Sequence, residues 1–239
     1  MNNLLLMIAI ILTFTLLLIA KKLFGKSGVI GFMGLATIMA NIFIVKSVDL
    51  LGIGATLGNV MFASNFLATD ILTECYGVKE AKKGVRFAIF AVIAFSLCTQ
   101  LALVFAPNEI DIAQESFNTI FSITPRITIA SVMLFALSNF LDVNLYEYLR
   151  KKTNGKYIWL RNNVSTILCN GTENFIFYLL AFWGIFSFKE IFAMGLSATI
   201  IEVLIAICDT PFLYIARHIN TPKEYKGAYL DGKTTERNQ

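Results

Sequence analysis

Residues 3–20 read NLLLMIAIILTFTLLLIA, an apolar run without a single charge. Roughly 20 such residues wound as a helix cross the hydrocarbon core of a bilayer, so the run predicts a transmembrane helix. Working outward from it, six more mostly apolar runs follow at about 28–45, 57–76, 84–106, 127–148, 164–186 and 191–216. The third, fifth, sixth and seventh carry acids, which lowers their hydropathy without removing their apolar faces. Lipid admits only helices or closed barrels, because every backbone amide must find a partner inside the segment. The runs are continuous and do not alternate with period two, so the fold class is all-α, a polytopic membrane helix bundle with seven predicted spans.

Composition agrees and excludes other classes. Of the 239 residues 56% are hydrophobic and only 15% charged, where a soluble domain carries about 25% charged residues. The four cysteines, Cys75, Cys98, Cys169 and Cys208, never form a CxxC pair, and His218 is the only histidine. A disulfide scaffold, structural zinc and a histidine-based triad therefore have almost no raw material. No metal and no cofactor is expected.

Orientation follows from lysine and arginine. The segments after spans one, three, five and seven hold 17 of the 20 basic residues, from Lys21 and Lys22 through Lys79, Lys82 and Lys83 to Arg150, Arg161 and Arg217. The other side keeps Lys46, Arg126 and Lys189 with the acids Glu109, Asp111 and Glu115. The N-terminus is thus expected outside, the C-terminus in the cytoplasm, and the chain in the plasma membrane as a multi-pass protein. The first run lacks a basic leader region, and Lys21-Lys22 follows it with no cleavage pattern, so it reads as a retained helix. The positive net charge is spread over four separate loops, which argues against nucleic acid as a partner. Between spans four and five, residues 107–126 mix Ile110, Ile112, Phe117, Ile120 and Phe121 with acids, the pattern of a short amphipathic piece.

A charge at the centre of a membrane helix costs about 2.5–3.5 kcal/mol on insertion scales, so embedded acids need a reason. Asp70 and Glu74 are four apart and share a helix face. Asn139 and Asp142 do so on span five, Asn170, Glu173 and Asn174 on span six, and Glu202 and Asp209 on span seven. Four helices each present one polar stripe, and such stripes point into a bundle toward one another or toward water. Gly77, Gly171 and Pro211 beside them suggest helix breaks that frame a hydrated cavity, with Pro211 interrupting span seven. The plainer alternative pairs Asp70 or Glu74 with a base on another helix, such as Lys46. Carboxylates and amides converging this way suit a polar solute rich in donors. A guanine-like base is one match, since its ring N–H and exocyclic amine form a donor pair for one carboxylate, and its carbonyl wants an amide donor. A proton or other cation would also satisfy the acids.

The block 66–77, FLATDILTECYG, followed by VKEAKK at 78–83, resembles the signature of the queuosine precursor transporters, also described as vitamin uptake transporters. NIFIVK at 41–46, ALSNFLDVNLYEYLR at 136–150 and STILCNGTENF at 165–175 are similar to further blocks of that family, so the resemblance covers about residues 34–186. It implies import of deazaguanine bases (cyano- or aminomethyl-deazaguanine, or queuine) for queuosine salvage in tRNA, and no enzymatic activity. It implies Asn41, Lys46, Asp70, Glu74, Asn139, Asp142, Asn170 and Glu173 as substrate-binding candidates. Many members carry Asp-Thr where this chain has Glu173-Asn174, and Gln where it has Asn170. The domain reading is an extra N-terminal helix and loop (1–27), a six-span core (28–216) and a polar cytoplasmic tail (217–239). The expected partners are the small-molecule base and membrane lipid, with a homo-oligomer left open. The alternative function is a substrate-binding membrane subunit that needs separate ATPase partners.

Overall fold

A computed structural model of the chain describes residues 1–43, 46–50, 53–121, 125–184 and 187–219. The elements run α1 (Asn2–Phe43), β1 (Ser47–Leu50), β2 (Ile53–Thr56), α2 (Gly58–Tyr76), α3 (Val78–Val104), α4 (Gln114–Phe121), α5 (Pro125–Lys152), α6 (Ile158–Phe182) and α7 (Phe188–His218). The architecture is an all-α bundle with one small addition. Among the described residues, three helices, α1, α3 and α7, are long and apolar enough to cross a membrane. The tail beyond residue 219 lies outside the described residues.

The first two predicted spans form one element with a break in it. Gly25 has φ 62° and ψ −141°, a conformation outside the helix that a side chain would strain. A Cβ built on Gly28 would stand 2.2 Å from the carbonyl oxygen of Ala20. Eight residues of straight helix span about 12 Å, so this contact requires the chain to fold back at Gly25. Near the far ends of the two halves, Asn2 Nδ2 donates to the carbonyl of Asp49 at 3.3 Å, as a folded-back helix demands. The sequence-based loop 21–27 is therefore a tight turn. Gly28→Ala should push two backbones apart and lower stability by about 1–3 kcal/mol, as overpacking does. Gly31→Ala, where a Cβ meets nothing within 4 Å, should instead stabilise by about 0.5–1 kcal/mol. Thermal unfolding in detergent separates the two.

Between α1 and α2 lies an antiparallel two-stranded hairpin that the sequence reading did not include, with Ser47 opposite Thr56 and Leu50 opposite Ile53. The amphipathic expectation for 107–126 corresponds to α4, where Phe121 packs edge-on against Phe95 of α3, ring centroids 5.8 Å apart. Helix α5 closes with a left-handed turn: Asn154 and Gly155 have φ of 51° and 74°, and Gly155 N–H donates to the Arg150 carbonyl at 2.9 Å. Helix α6 then starts at Ile158, six residues before the span boundary expected at 164. Helix α7 begins in a capping box between Ser187 and Glu190 and runs through Pro211 to His218. Pro211 was expected to interrupt this helix; the ring removes one hydrogen bond without ending it.

The core is continuous. Phe14 and Leu17 from the first half of α1, Met33 from its second, Leu67 and Ile71 of α2, Val85 of α3, Tyr146 of α5 and Leu213 of α7 belong to one buried cluster. The N-terminal segment is thus packed into the same core as the rest. Outward-facing Leu12, Phe90, Leu97, Leu141 and Ile207 are exposed, the arrangement expected of helices that meet lipid.

Candidate substrate site and family membership

Polar side chains of four helices come together in the interior. On α2, Thr69, Asp70 and Thr73 are fully buried; on α5, so are Asn139, Asp142 and Tyr146; on α6, Arg161, Asn162 and Ser165; on α7, Glu202 and Asp209 are almost so. The i, i+3 and i, i+4 spacing that marks one face in the sequence is the physical reason they converge. Thr69 Oγ1 donates to Asp142 Oδ2 at 3.0 Å, tying α2 to α5. Asn162 Nδ2 donates to Asp209 Oδ1 at 2.6 Å, tying α6 to α7. Further along the same pair, Asn174 Nδ2 donates to Glu202 Oε2 at 2.7 Å.

Not every acceptor in this interior is used. Both carboxylate oxygens of Asp70, Oδ1 of Asp142 and Oε2 of Glu173 are buried without a hydrogen-bond partner. Buried polar atoms are nearly always satisfied, so four such acceptors on α2, α5 and α6 stand out. Asp142, Asp209, Glu74 and the Arg161 guanidinium all act electrostatically on Asp70. Cys169, one turn after Ser165 and one before Glu173, is buried and within electrostatic reach of Asp70, Asp142 and Glu173. Cys169 is not among the site residues the sequence points to. Ser138 of α5 faces Glu173. The acids are closed from solvent, so the hydrated cavity expected from the sequence is a buried polar interior.

Glu74 has a different environment. It is bonded to the Nη2 of Arg161, accepts from Tyr146 Oη at 3.4 Å, and has Arg150 Nε at 4.0 Å and Arg217 Nε at 3.9 Å. Arg161 has no solvent exposure and lies 5.3 Å over the Tyr146 ring. The sequence reading counted Arg161 among loop cations and named Lys46 as the plausible base for these acids. Lys46 is exposed beyond the end of α1, its carbonyl accepting from Leu57 N–H at 3.1 Å, and is not brought to the acids. The Asn154-Gly155 turn signal was the available hint that α6 starts early enough to bury residue 161.

The remaining candidates divide. Asn139 is buried between Ser138 and Asp142. Asn41 is half-buried, and its Nδ2 donates to the Thr37 carbonyl of its own helix at 2.9 Å. Nearby Thr37 Oγ1 donates to Asn65 Oδ1 at 3.4 Å, and fully buried Asn65 is a polar residue the sequence reading did not single out. Asn170 is in α6, one residue past Cys169; its side chain lies outside the described residues.

Comparison with known proteins places this arrangement. The family described as "Putative vitamin uptake transporter" matches residues 56–216, from the end of β2 to the last turns of α7. The chain belongs to that family. It is similar to the "Probable queuosine precursor transporter" of Bacillus subtilis strain 168, 36% identical over 208 residues, covering 87% of this chain and 91% of the relative. It is also similar to the "Queuosine precursor transporter" of Escherichia coli K12, 27% identical over 144 residues, 60% of this chain and 62% of that one. A "Probable queuosine precursor transporter" of Haemophilus influenzae Rd is 26% identical over 129 residues, 54% and 52% of the two chains. No solved structure matches the chain. The vitamin uptake transporters are membrane carriers and not enzymes, and this member is a multi-pass protein of the plasma membrane. Its family match spans every helix that contributes an acid to the buried interior.

Proposed function

We propose that the chain imports a queuosine precursor, a deazaguanine base, and binds it among Asp70, Asn139, Asp142 and Glu173. The observation that carries this reading is the set of buried carboxylate oxygens without partners on Asp70, Asp142 and Glu173. A guanine-like edge offers two parallel donors to one carboxylate and an acceptor to an amide, and charge-assisted bonds of this kind are the strong ones. Asp70 and Glu173 accept, Asn139 and Asn170 donate, and Asp142 takes a proton or an aminomethyl ammonium. Glu74 anchors the arginine cluster and is not a first choice for contact with the base. Asn41 and Lys46 belong to the opposite end of the bundle and serve the approach to it.

The same reading gives seven crossings, two from α1 folded at Gly25 and one each from α2, α3, α5, α6 and α7. The N-terminus faces outside. Lys21, Lys26, Arg150, Arg161 and Arg217 gather at the end that then faces the cytoplasm, as the positive-inside rule requires. Supporting contacts are Lys21 Nζ to the Ala216 carbonyl at 2.7 Å and Lys26 to Glu80 at 3.7 Å.

Labelled-base uptake tests the reading. Cells unable to make the base should take up labelled cyano- or aminomethyl-deazaguanine when they express this chain, and adenine should not compete. Uptake by the purified chain alone in liposomes would dispense with ATPase partners. Absence of uptake in cells, with the protein present in the membrane, would overturn the proposal.

A further inference from the structure

A cleft of about 620 Å³ opens where α2 passes into α3 and meets the end of α5, at the end of the bundle away from the hairpin. Its walls carry Lys79, Lys82, Arg150 and Lys151 against one acid, Glu147. Glu147 is already shared, 3.5 Å from Arg150 and 3.8 Å from Lys151. Neither Lys79 nor Lys82 has an ion-pair partner among the described residues. The neighbouring acid Glu80 is turned to Lys26. Gly77 and Val78, the cap and first residue of α3, also line the cleft. Four cations and one acid therefore line the site.

Above the cleft the surface changes character. On α5, Leu137, Leu141 and Tyr148 stand one to three turns apart on one face and are exposed; on α3, Phe90, Ile93 and Leu97 do the same. These two helices pack together, and beyond the exposed Lys83 and Arg86 of α3 the residues named here give both helices an apolar surface. A soluble anion uses the charged cleft and ignores this surface. A phospholipid uses both.

We propose that this cleft is a binding site for an anionic phospholipid, its phosphate held by Lys79, Lys82 and Arg150 and its acyl chains lying along α3 and α5. Basic pockets at the cytoplasmic ends of membrane helices hold such headgroups. Arg150 links the cleft to the interior, because the same guanidinium donates to the Thr73 carbonyl at 3.2 Å and stands 4.0 Å from Glu74. A bound phosphate draws on a group that also fastens α2 to α5, one turn from Asp70. The inference rests on the bilayer reading and not on which base is carried.

The test titrates purified full-length protein in neutral detergent with phosphatidylglycerol, phosphatidylcholine or inorganic phosphate, reading melting temperature and native mass spectra. Phosphatidylglycerol should raise the melting temperature and stay bound in the spectra. Lys79→Gln with Lys82→Gln should weaken its midpoint about 25-fold, roughly fivefold per lysine. Lys22→Gln with Lys156→Gln removes the same charge away from the cleft and from the exposed faces of α3 and α5, and should leave the midpoint within about twofold. If the first double variant does not accumulate, Lys79→Gln alone reads the fivefold shift. Equal binding of phosphatidylcholine, equal weakening in both double variants, or full stabilisation by inorganic phosphate would each overturn the proposal. Base uptake is measured separately, so loss of the lipid site and loss of the transport reading are distinguishable.

Discussion

Arg161→Met should lower stability by about 3–5 kcal/mol, the largest effect expected of any single substitution at the cationic end of the bundle. The guanidinium is fully buried and its partner Glu74 is 6% exposed, so removing one member leaves a carboxylate in a closed interior. Tyr146 loses the cation over its ring as well. Arg150 and Arg217 stand too far off, at 4.0 and 3.9 Å, to replace a direct bond. The double variant Glu74→Leu with Arg161→Met removes both charges and should recover most of the loss, since apolar pairs replace buried ion pairs at little cost. Fluorescence-detected size exclusion after a temperature ramp measures both. A single variant that melts with the wild type would show that Glu74 is satisfied without Arg161.

Asp70→Asn should leave the protein at least as stable and reduce base uptake on the order of 100-fold or more. Two roles for this one buried acid differ in what an amide costs. As a structural group, Asp70 has no bonds to lose, because neither oxygen has a partner. Asp142 and Asp209 stand near enough to repel its charge, so an amide relieves that repulsion. As a binding group, Asp70 makes two charge-assisted bonds to the base, each worth about 1.5–3 kcal/mol. An amide offers one acceptor oxygen and sets its NH2 donors against the donors of the base. A variant that folds well and does not transport separates function from packing. Wild-type uptake by Asp70→Asn would remove Asp70 from the site.

How much of this was legible in the sequence depends on the range of the interaction. The stripes were legible, because Asp70 with Glu74 and Asn139 with Asp142 share a face by helix geometry alone, and an acid inside an apolar run has few places to go. So were the apolar runs themselves. The fold-back at Gly25 was not, since Lys21, Lys22 and Lys26 around it read as a loop and only the contact of Gly28 with Ala20 shows how tight the turn is. Arg161 was misplaced for a related reason. It follows Lys156 closely in sequence, and only the packing of α6 against α5 brings it over the Tyr146 ring and to Glu74 of α2. The hairpin at 47–56 was hidden between two apolar runs, although Val48, Ile53 and Thr56 carry strand propensity. Pro211 misled because a missing amide breaks a helix only when neighbouring helices do not hold it.

The central claim is that spare buried acceptors on separate helices receive a guanine-like base. Calorimetric titration of the purified protein with aminomethyl-deazaguanine tests it most directly. Saturable binding to the wild type, lost in Asp70→Asn and absent with adenine, is the result the account predicts. Binding of equal strength by the wild type and Asp70→Asn would contradict it.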